Sequence, residues 1–373
     1  MMIEHLLKWL QTARVTERAA AAGALARTFD DSELGFEDRC GAEAVLTLLL
    51  DDPSSKVRAA IAEALSMSRR APIHIVSALC GDQPEVSALL IARSPLLTDA
   101  DLIDRVRAGL PQIQRLVANR ARVSTNVSLA VAELADIDAC IDLIGNSGAQ
   151  IPLAGFQAMV ERHGSVAAMR AAMLERADLP ADCRHMLLVH VGEALKGSPL
   201  VARLVGPQRA ERITREACVR ASLTVIDGAR PAEQGGLVEH FRRRGDLTAS
   251  FIIRAIAHGK IDFFGTALIA LTGQAEQRVR ALLANGHDTA LSALMRSAGL
   301  ADAVHRVILT ALKVWRDVAR GKRLAGAQEV SWLMLEAIGG QSAEGDLASL
   351  LKSIHIEALR DNARGHALAL TAA

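Results

Sequence analysis

The chain has 373 residues, of which 50% are hydrophobic and 23% charged, a balance typical of globular domains rather than of disordered chains. Its 43 basic and 42 acidic residues leave a net charge of +1, which argues against a general attraction to nucleic acid or to an acidic membrane. Tyrosine is absent and aromatic residues make up 3%, so the core must be packed from small and branched aliphatic side chains.

The cysteines and the hydrophobic runs indicate a cytoplasmic protein without a transmembrane segment. No uncharged apolar run reaches the roughly 18 residues that a membrane-spanning helix needs. The cysteines are odd in number, widely separated and never arranged as CxxC, which predicts reduced thiols in a helical core. They are Cys40, Cys80, Cys140, Cys183 and Cys218.

The first residues predict an amphipathic helix that caps the fold. Its apolar stripe consists of Ile3, Leu6, Leu7 and Leu10, with Trp9 beside it. The same stripe would also suit a helix lying on a membrane surface.

Residues 51–65, DDPSSKVRAAIAEAL, predict a turn followed by a helix that buries one face. The segment resembles a HEAT-type repeat, whose second helix opens with Val-Arg shortly after a turn that carries Asp. Asp52, Val57 and Arg58 stand at the matching positions. The resemblance implies a solenoid of helical hairpins with polar links between repeats.

Further units follow at intervals of about thirty residues, as expected for one hairpin per step. Asp82 repeats Asp52, but Ser87 stands where the arginine would be, so the repeats are degenerate and this step departs from the pattern of polar links. Thr98 and Asp101 form a predicted capping pair at the start of a later helix.

Asp136, Asp138 and Asp142 are candidate ligands for magnesium or calcium, since Asp138 and Asp142 stack one turn apart on a helix. The alternative is that Asp136 and Asp138 only stabilise a helix N-terminus. We favour that alternative.

Asp182, Cys183, His185 and His190 are the densest group of potential zinc ligands in the sequence. On one helix His185 points away from the face of Cys183 and His190, so the three donors cannot converge. No metal or other cofactor is therefore expected, although an enzyme built on this group or on residues 136–142 is a third hypothesis.

A change in composition near residues 196–235 predicts a joint between two helical domains. All prolines lie at or before Pro231, and helix ends beyond it rely on glycine. We predict a HEAT-like domain over 1–195, a connector over 196–235, a second helical domain over 236–325 and C-terminal amphipathic helices over 326–373. Left-handed helix caps are expected at Gly245, Gly259, Gly273, Gly286 and Gly299.

The pattern FIIRAIAHGKIDFFGTALIAL resembles a bacterial family known only as a domain of unknown function with helical-repeat character. The resemblance covers roughly residues 70–320 and supplies no catalytic residues. It is carried by Ile252, Ala255, Gly259, Asp262, Phe263, Phe264, Ala267 and Leu268.

Two features of the second half are candidates for partner binding. Arg242, Arg243 and Arg244 form the sharpest basic cluster, which could clamp a phosphate or simply suit the end of a helix. Phe264 and Trp332 are candidate interface anchors if exposed, and core residues otherwise.

The sequence thus predicts an all-α protein, an α-solenoid of degenerate HEAT-like hairpins in two helical domains, acting as a non-enzymatic scaffold or adaptor for a protein partner. The second part would serve dimerisation or partner binding. The alternative is a phosphate-bearing ligand, nucleic acid or a cyclic nucleotide, held by Arg242–Arg244; near-neutral charge and few aromatic residues weigh against nucleic acid.

Overall fold

A computed structural model of the chain describes Trp9 and residues 12–30, 35–339 and 345–372. These residues form 22 α-helices, one 3₁₀ segment (Pro231–Glu233) and no β-strand, so the prediction of an all-α protein is confirmed. The chain divides into two compact units, Met1–Leu179 and Pro180–Ala373, here called the N-terminal and the C-terminal unit. The predicted capping helix through Ile3, Leu6, Leu7 and Leu10 lies outside the described residues.

The N-terminal unit contains eleven of the described helices, most of them short. They are α1 (Val15–Asp30), α2 (Phe36–Leu49), α3 (Ser55–Leu65), α4 (Ile73–Cys80), α5 (Pro84–Arg93), α6 (Asp99–Arg107), α7 (Pro111–Ala118), α8 (Thr125–Leu134), α9 (Ile137–Gly145), α10 (Leu153–His163) and α11 (Ala167–Leu174).

The helices of this unit pack in a regular order. Each of α1, α3, α5, α7 and α9 packs against the helix two places further along the chain, and α6, α8 and α10 form a second such series. Small and branched aliphatic side chains make up most of the buried faces and allow the close approach, while Phe29 on α1 and Phe156 on α10 are the large buried side chains. The fully buried residues include Val57, Ile61, Leu90, Val117, Val131 and Leu143.

Two arginine–aspartate pairs link successive odd-numbered helices at the start of the unit. Arg18 on α1 donates to both carboxylate oxygens of Asp52, at 2.8 and 3.0 Å, in the turn before α3. Arg58 on α3 donates to both oxygens of Asp82, at 2.5 and 3.0 Å, in the turn before α5. The bond from each guanidinium holds the pKa of its aspartate below the usual range. At the next step Ser87 donates instead to its own helix, at the Gln83 carbonyl, 3.2 Å away.

The C-terminal unit holds the remaining described helices, which are longer on average. They are α12 (Ala181–Lys196), α13 (Pro199–Val205), α14 (Pro207–Gly228), α15 (Gln234–Arg244), α16 (Ala249–Ala257), α17 (Ile261–Thr272), α18 (Glu276–Asn285), α19 (Asp288–Ser297), α20 (Asp302–Ala319), α21 (Ala327–Glu336) and α22 (Asp346–Ala372). None of the helices in the described part of the chain has the length and apolar character to cross a bilayer.

Two clusters of buried side chains form the core of this unit. One cluster joins α12 and α14 to α15–α17 and is rich in phenylalanine, with Phe241, Phe251 and Phe263 at its centre. The other joins α16–α22 and is mainly aliphatic, with Ile256, Leu268 and Ile308 among its fully or almost fully buried members. Helices α16 and α17 contribute residues to both clusters.

The helix ends agree with the sequence in most places. Thr98 and Asp101 form the predicted capping box at the start of α6. Gly245, Gly259, Gly273 and Gly299 have φ between 66° and 81°, as predicted for left-handed caps. The prediction for Gly286 is wrong, because its φ is −67° and the chain runs extended into α19. Arg316 donates to the carbonyls of Leu282, Leu283 and Gly286, which satisfies the end of α18 without a left-handed turn.

Candidate functional site

An open cavity of the C-terminal unit lies beside Trp332 and has a volume of about 690 Å³. We call it the Trp332 cleft. It lies where α21 and α22 meet the end of α16, and its lining includes His258, Gln328, Trp332, His355, Asp361 and Asn362. On α21 the neighbouring residues Val330 and Met334 are fully buried. Trp332 stands on the opposite side of the helix, because each residue rotates the helix by about 100°.

Trp332 is 48% exposed and contacts His355 on α22, with ring centroids 5.6 Å apart. The ring of His355 is held by a buried hydroxyl. Ser331 Oγ donates its proton to the Gln328 carbonyl at 2.9 Å, so the 3.1 Å contact to His355 must be donated by His355 Nδ1–H.

His258 adds a second imidazole to the lining of the cleft. Its Nε2 atom is buried, and no hydrogen-bond partner for it occurs among the described residues. Burial lowers the pKa of His258, and the nearby cations of Lys260 and Arg254 lower it further. The cleft thus presents an exposed indole beside two imidazole rings, those of His258 and His355.

Phe264, the other predicted anchor, is a core residue. Its side chain is 1% exposed and belongs to the aliphatic cluster of α16–α22. A partner cannot reach it while the unit is folded, so its prediction as a binding residue is corrected to a packing role. The adjacent Phe263 is likewise buried, in the phenylalanine-rich cluster.

Arg242, Arg243 and Arg244 form the last turn of α15, immediately before the left-handed Gly245. Glu239 accepts two bonds from Arg242, at 2.7 and 2.8 Å, and lies 3.4 Å from Arg243. Arg244 donates to Asp246 at 2.9 Å. A phosphate would have to compete with these carboxylates, and a phosphate-binding role for the cluster stays a prediction.

The acidic group at 136–142 has the structural role that the sequence analysis favoured. Asp136 caps α9 by accepting from Ala139 N–H at 2.9 Å, and Asp138 lies in the first turn of that helix. Asp142 accepts from Arg115 Nε at 2.6 Å. The three carboxylates therefore serve helix stability and an ion pair between α7 and α9.

The predicted ligand group on α12 takes part in a different network. His185 is 3% exposed and contacts His240 Nε2 through Nδ1 and Ser222 Oγ through Nε2, both at 3.0 Å. Ser222 donates its proton to the Cys218 carbonyl, so His185 Nε2–H donates to Ser222 and His185 Nδ1 accepts from His240. Burial lowers the pKa of His185 to about 4, which keeps this tautomer neutral.

Sequence reasoning missed Ser222 and His240 because they lie 37 and 55 residues from His185 and share no motif with it. Asp182 and Cys183 are buried on the same helix as His185. Across the described ranges, no three His, Cys, Asp or Glu side chains come together in a way that could hold a metal ion.

Residues 86–348 match the model of the family described as "Uncharacterised protein conserved in bacteria (DUF2336)". This match covers more than half of the chain, so the protein belongs to that family. It includes the whole FIIRAIAHGKIDFF segment and the Trp332 side of the cleft. No curated protein and no solved structure matches the chain.

Proposed function

We propose that the chain is a non-enzymatic scaffold or adaptor that binds a protein partner, and that the Trp332 cleft is the principal contact surface. A single observation carries the proposal: a tryptophan that is 48% exposed stands at a large open cavity of a folded unit. Tryptophan is enriched among the residues that contribute most to protein–protein binding, because it buries a large, rigid surface.

We further propose that the N-terminal unit is an α-solenoid of degenerate HEAT-like hairpins. The packing of each helix on the helix two places further along supports this, as do the pairs Arg18–Asp52 and Arg58–Asp82. In a solenoid the stabilising contacts lie between neighbouring repeats, so the outer side chains are available for a second contact with the partner.

A cytoplasmic location fits this proposal. All five cysteines carry free thiols, and Cys80 and Cys140 are buried, where desolvation raises their pKa to about 11. Such thiols are unreactive core residues of the kind found in reducing compartments.

Site-specific photo-crosslinking tests the contact directly. A photoreactive phenylalanine analogue replaces Trp332 in the full chain, in living bacteria that produce the protein. The matched control carries the same analogue at Leu324, which is 95% exposed and precedes α21. We expect a discrete crosslinked species at position 332 that is absent at position 324.

The identity of the crosslinked species decides the nature of the partner. A different protein supports the scaffold proposal, whereas a second copy of this chain would assign the cleft to dimerisation. Equal crosslinking at both positions, or none at position 332, would overturn the proposal.

A further inference from the structure

A second cavity of the C-terminal unit, of about 430 Å³, lies between α12, α14 and the α15–α16 connection. We call it the Arg254 pocket. Helices α12 and α14 approach closely at Gly192, where an added Cβ would lie 2.6 Å from Cys218 Sγ. The volume falls within the range of small-molecule pockets.

One side of the Arg254 pocket is apolar and aromatic. Phe241 and Phe251 contribute rings with centroids 4.9 Å apart, and they are 1% and 7% exposed. Val189 and Val219 line the pocket from α12 and α14. These side chains offer an apolar ligand a preformed surface, because Phe241 packs on both Phe251 and His185.

The pocket also contains a largely buried cation, Arg254 on α16, whose side chain is 12% exposed. One of its nitrogens, Nη1, bonds to Glu357. A guanidinium has five N–H donors, and in the described part of the chain Glu357 is its one hydrogen-bond partner. Ser250 lines the pocket one helical turn earlier.

The charges at the rim largely compensate one another. Glu211 accepts from Arg215 at 3.0 Å and lies 3.6 Å from Lys196, while Arg244 is paired with Asp246. Glu193 also lines the pocket, at a solvent-exposed position of α12. Arg254 is thus the interior group with donors to spare, and buried N–H donors are best satisfied by an anionic acceptor.

We infer that the Arg254 pocket binds a small amphipathic carboxylate, whose charged group bonds to Arg254 and whose apolar body packs against Phe241 and Phe251. A monoanion is favoured over a phosphate dianion because Glu357 already compensates part of the charge of Arg254. The pocket volume limits the body to an aromatic ring or a medium-length alkyl chain.

Isothermal titration of the full chain with 4-phenylbutyrate and octanoate tests this inference. We expect both to bind, and the neutral 4-phenylbutanamide to bind at least about tenfold more weakly, because it cannot form a charge-assisted bond to the guanidinium. Propionate, which lacks the apolar body, and inorganic phosphate are expected to show no binding. Equal binding of acid and amide, or binding of phosphate alone, would overturn the inference.

Variants locate the site. In Arg254→Gln/Glu357→Gln the cation is removed together with its ion-pair partner, so neither charge of the pair is left without the other. Binding should be lost while the helical circular dichroism persists. Ser250→Trp, at an exposed lining position, should block the pocket without touching the core.

Two further variants serve as controls. Arg278→Gln, an exposed arginine of α18, should bind as the unmodified chain does. Trp332→Ala should also leave carboxylate binding unchanged, so the outcome is independent of the proposed protein partner. Unchanged binding in Ser250→Trp would exclude this pocket.

Discussion

At the scale of single residues, the contact between Gly192 and Cys218 determines how closely α12 and α14 pack. Helix interiors disfavour glycine by about 1 kcal/mol relative to alanine, so a buried glycine in α12 needs a compensating reason. The reason is steric, because any side chain at this position would overlap the sulfur of Cys218.

We therefore expect Gly192→Ala to destabilise the C-terminal unit by about 1–3 kcal/mol through overpacking, despite the better helix propensity of alanine. Adding Cys218→Ala to this variant should restore most of the loss. The control is Gly236→Ala in α15. An added Cβ there has no atom within 4 Å apart from its chain neighbours and its own helix backbone, so the substitution should be neutral or stabilising. Urea denaturation measures the free energy of unfolding of each variant. If the changes caused by Gly192→Ala and Cys218→Ala simply add in the double variant, the steric explanation is contradicted.

His185 makes stability depend on pH. Its folded pKa of about 4 lies below its unfolded value of 6.5, so the unfolded chain binds the proton more readily between these values. The contribution of neutral His185 to the free energy of unfolding is complete above pH 6.5 and is lost as the pH falls towards 4. This contribution is on the order of 3 kcal/mol, because each pKa unit corresponds to about 1.4 kcal/mol.

Urea denaturation between pH 7 and pH 4 tests this expectation. The unmodified chain should lose more stability over that range than His185→Asn, which cannot take up the proton. Burial also lowers the pKa of His240 and His258, so both variants should retain a slope of the same sign. Identical slopes would show that His185 does not titrate as described.

At the scale of elements, arginines from one helical pair complete the helix ends of an earlier pair. Arg162 on α10 donates to the carbonyls of Ala132 and Ala135 at the end of α8, at 2.5 and 2.6 Å. Arg176 binds two carbonyls at the end of α9 in the same way. The last carbonyls of a helix have no partner within it, so these bonds satisfy them and connect segments about 30 residues apart in the sequence.

The glycine at the end of α16 is constrained both by its backbone conformation and by a neighbouring side chain. Gly259 has a φ of +77°, and the ring of Trp315, held by a 2.8 Å bond from Nε1 to the Ile256 carbonyl, would lie 3.2 Å from an added Cβ. Gly245 has a similar φ of +76° but open space around it.

We expect Gly245→Ala to cost about 1–2 kcal/mol, the strain of a left-handed residue with a side chain. Gly259→Ala should cost at least about 1 kcal/mol more, because Trp315 must also move. Thermal denaturation and the fluorescence of Trp315 would report the difference. An equal loss of stability in the two variants would mean that the contact with the Trp315 ring adds nothing to the cost of a side chain at Gly259.

At the scale of the whole molecule, the C-terminal unit contains complete cores of its own. The phenylalanine-rich cluster combines Ala181 on α12, and Leu223 and Ile226 on α14, with Leu237 and Phe241 on α15. All members of both clusters lie after residue 180. A unit with its own core is able to fold by itself.

We expect the fragment 180–373 to retain helical circular dichroism and a cooperative urea transition. The fragment 236–373, which begins at the predicted second domain, lacks α12 and α14 and should bind a hydrophobic dye through the uncovered Phe241. Cooperative folding of the shorter fragment without dye binding would support the predicted boundary at 235 instead.

The sequence by itself determined the helical class, the buried faces and most helix ends, because these follow from local spacing: Val57 and Ile61 one turn apart, Thr98 with Asp101, Gly245 after three arginines. Tertiary structure alone decided that Phe264 is buried while Trp332 is half exposed, and that His185 meets Ser222 and His240. Helical periodicity shows which side chains share a face, but not which face another helix covers. Contacts between residues far apart in sequence depend on the packing of whole helices, which no local pattern records.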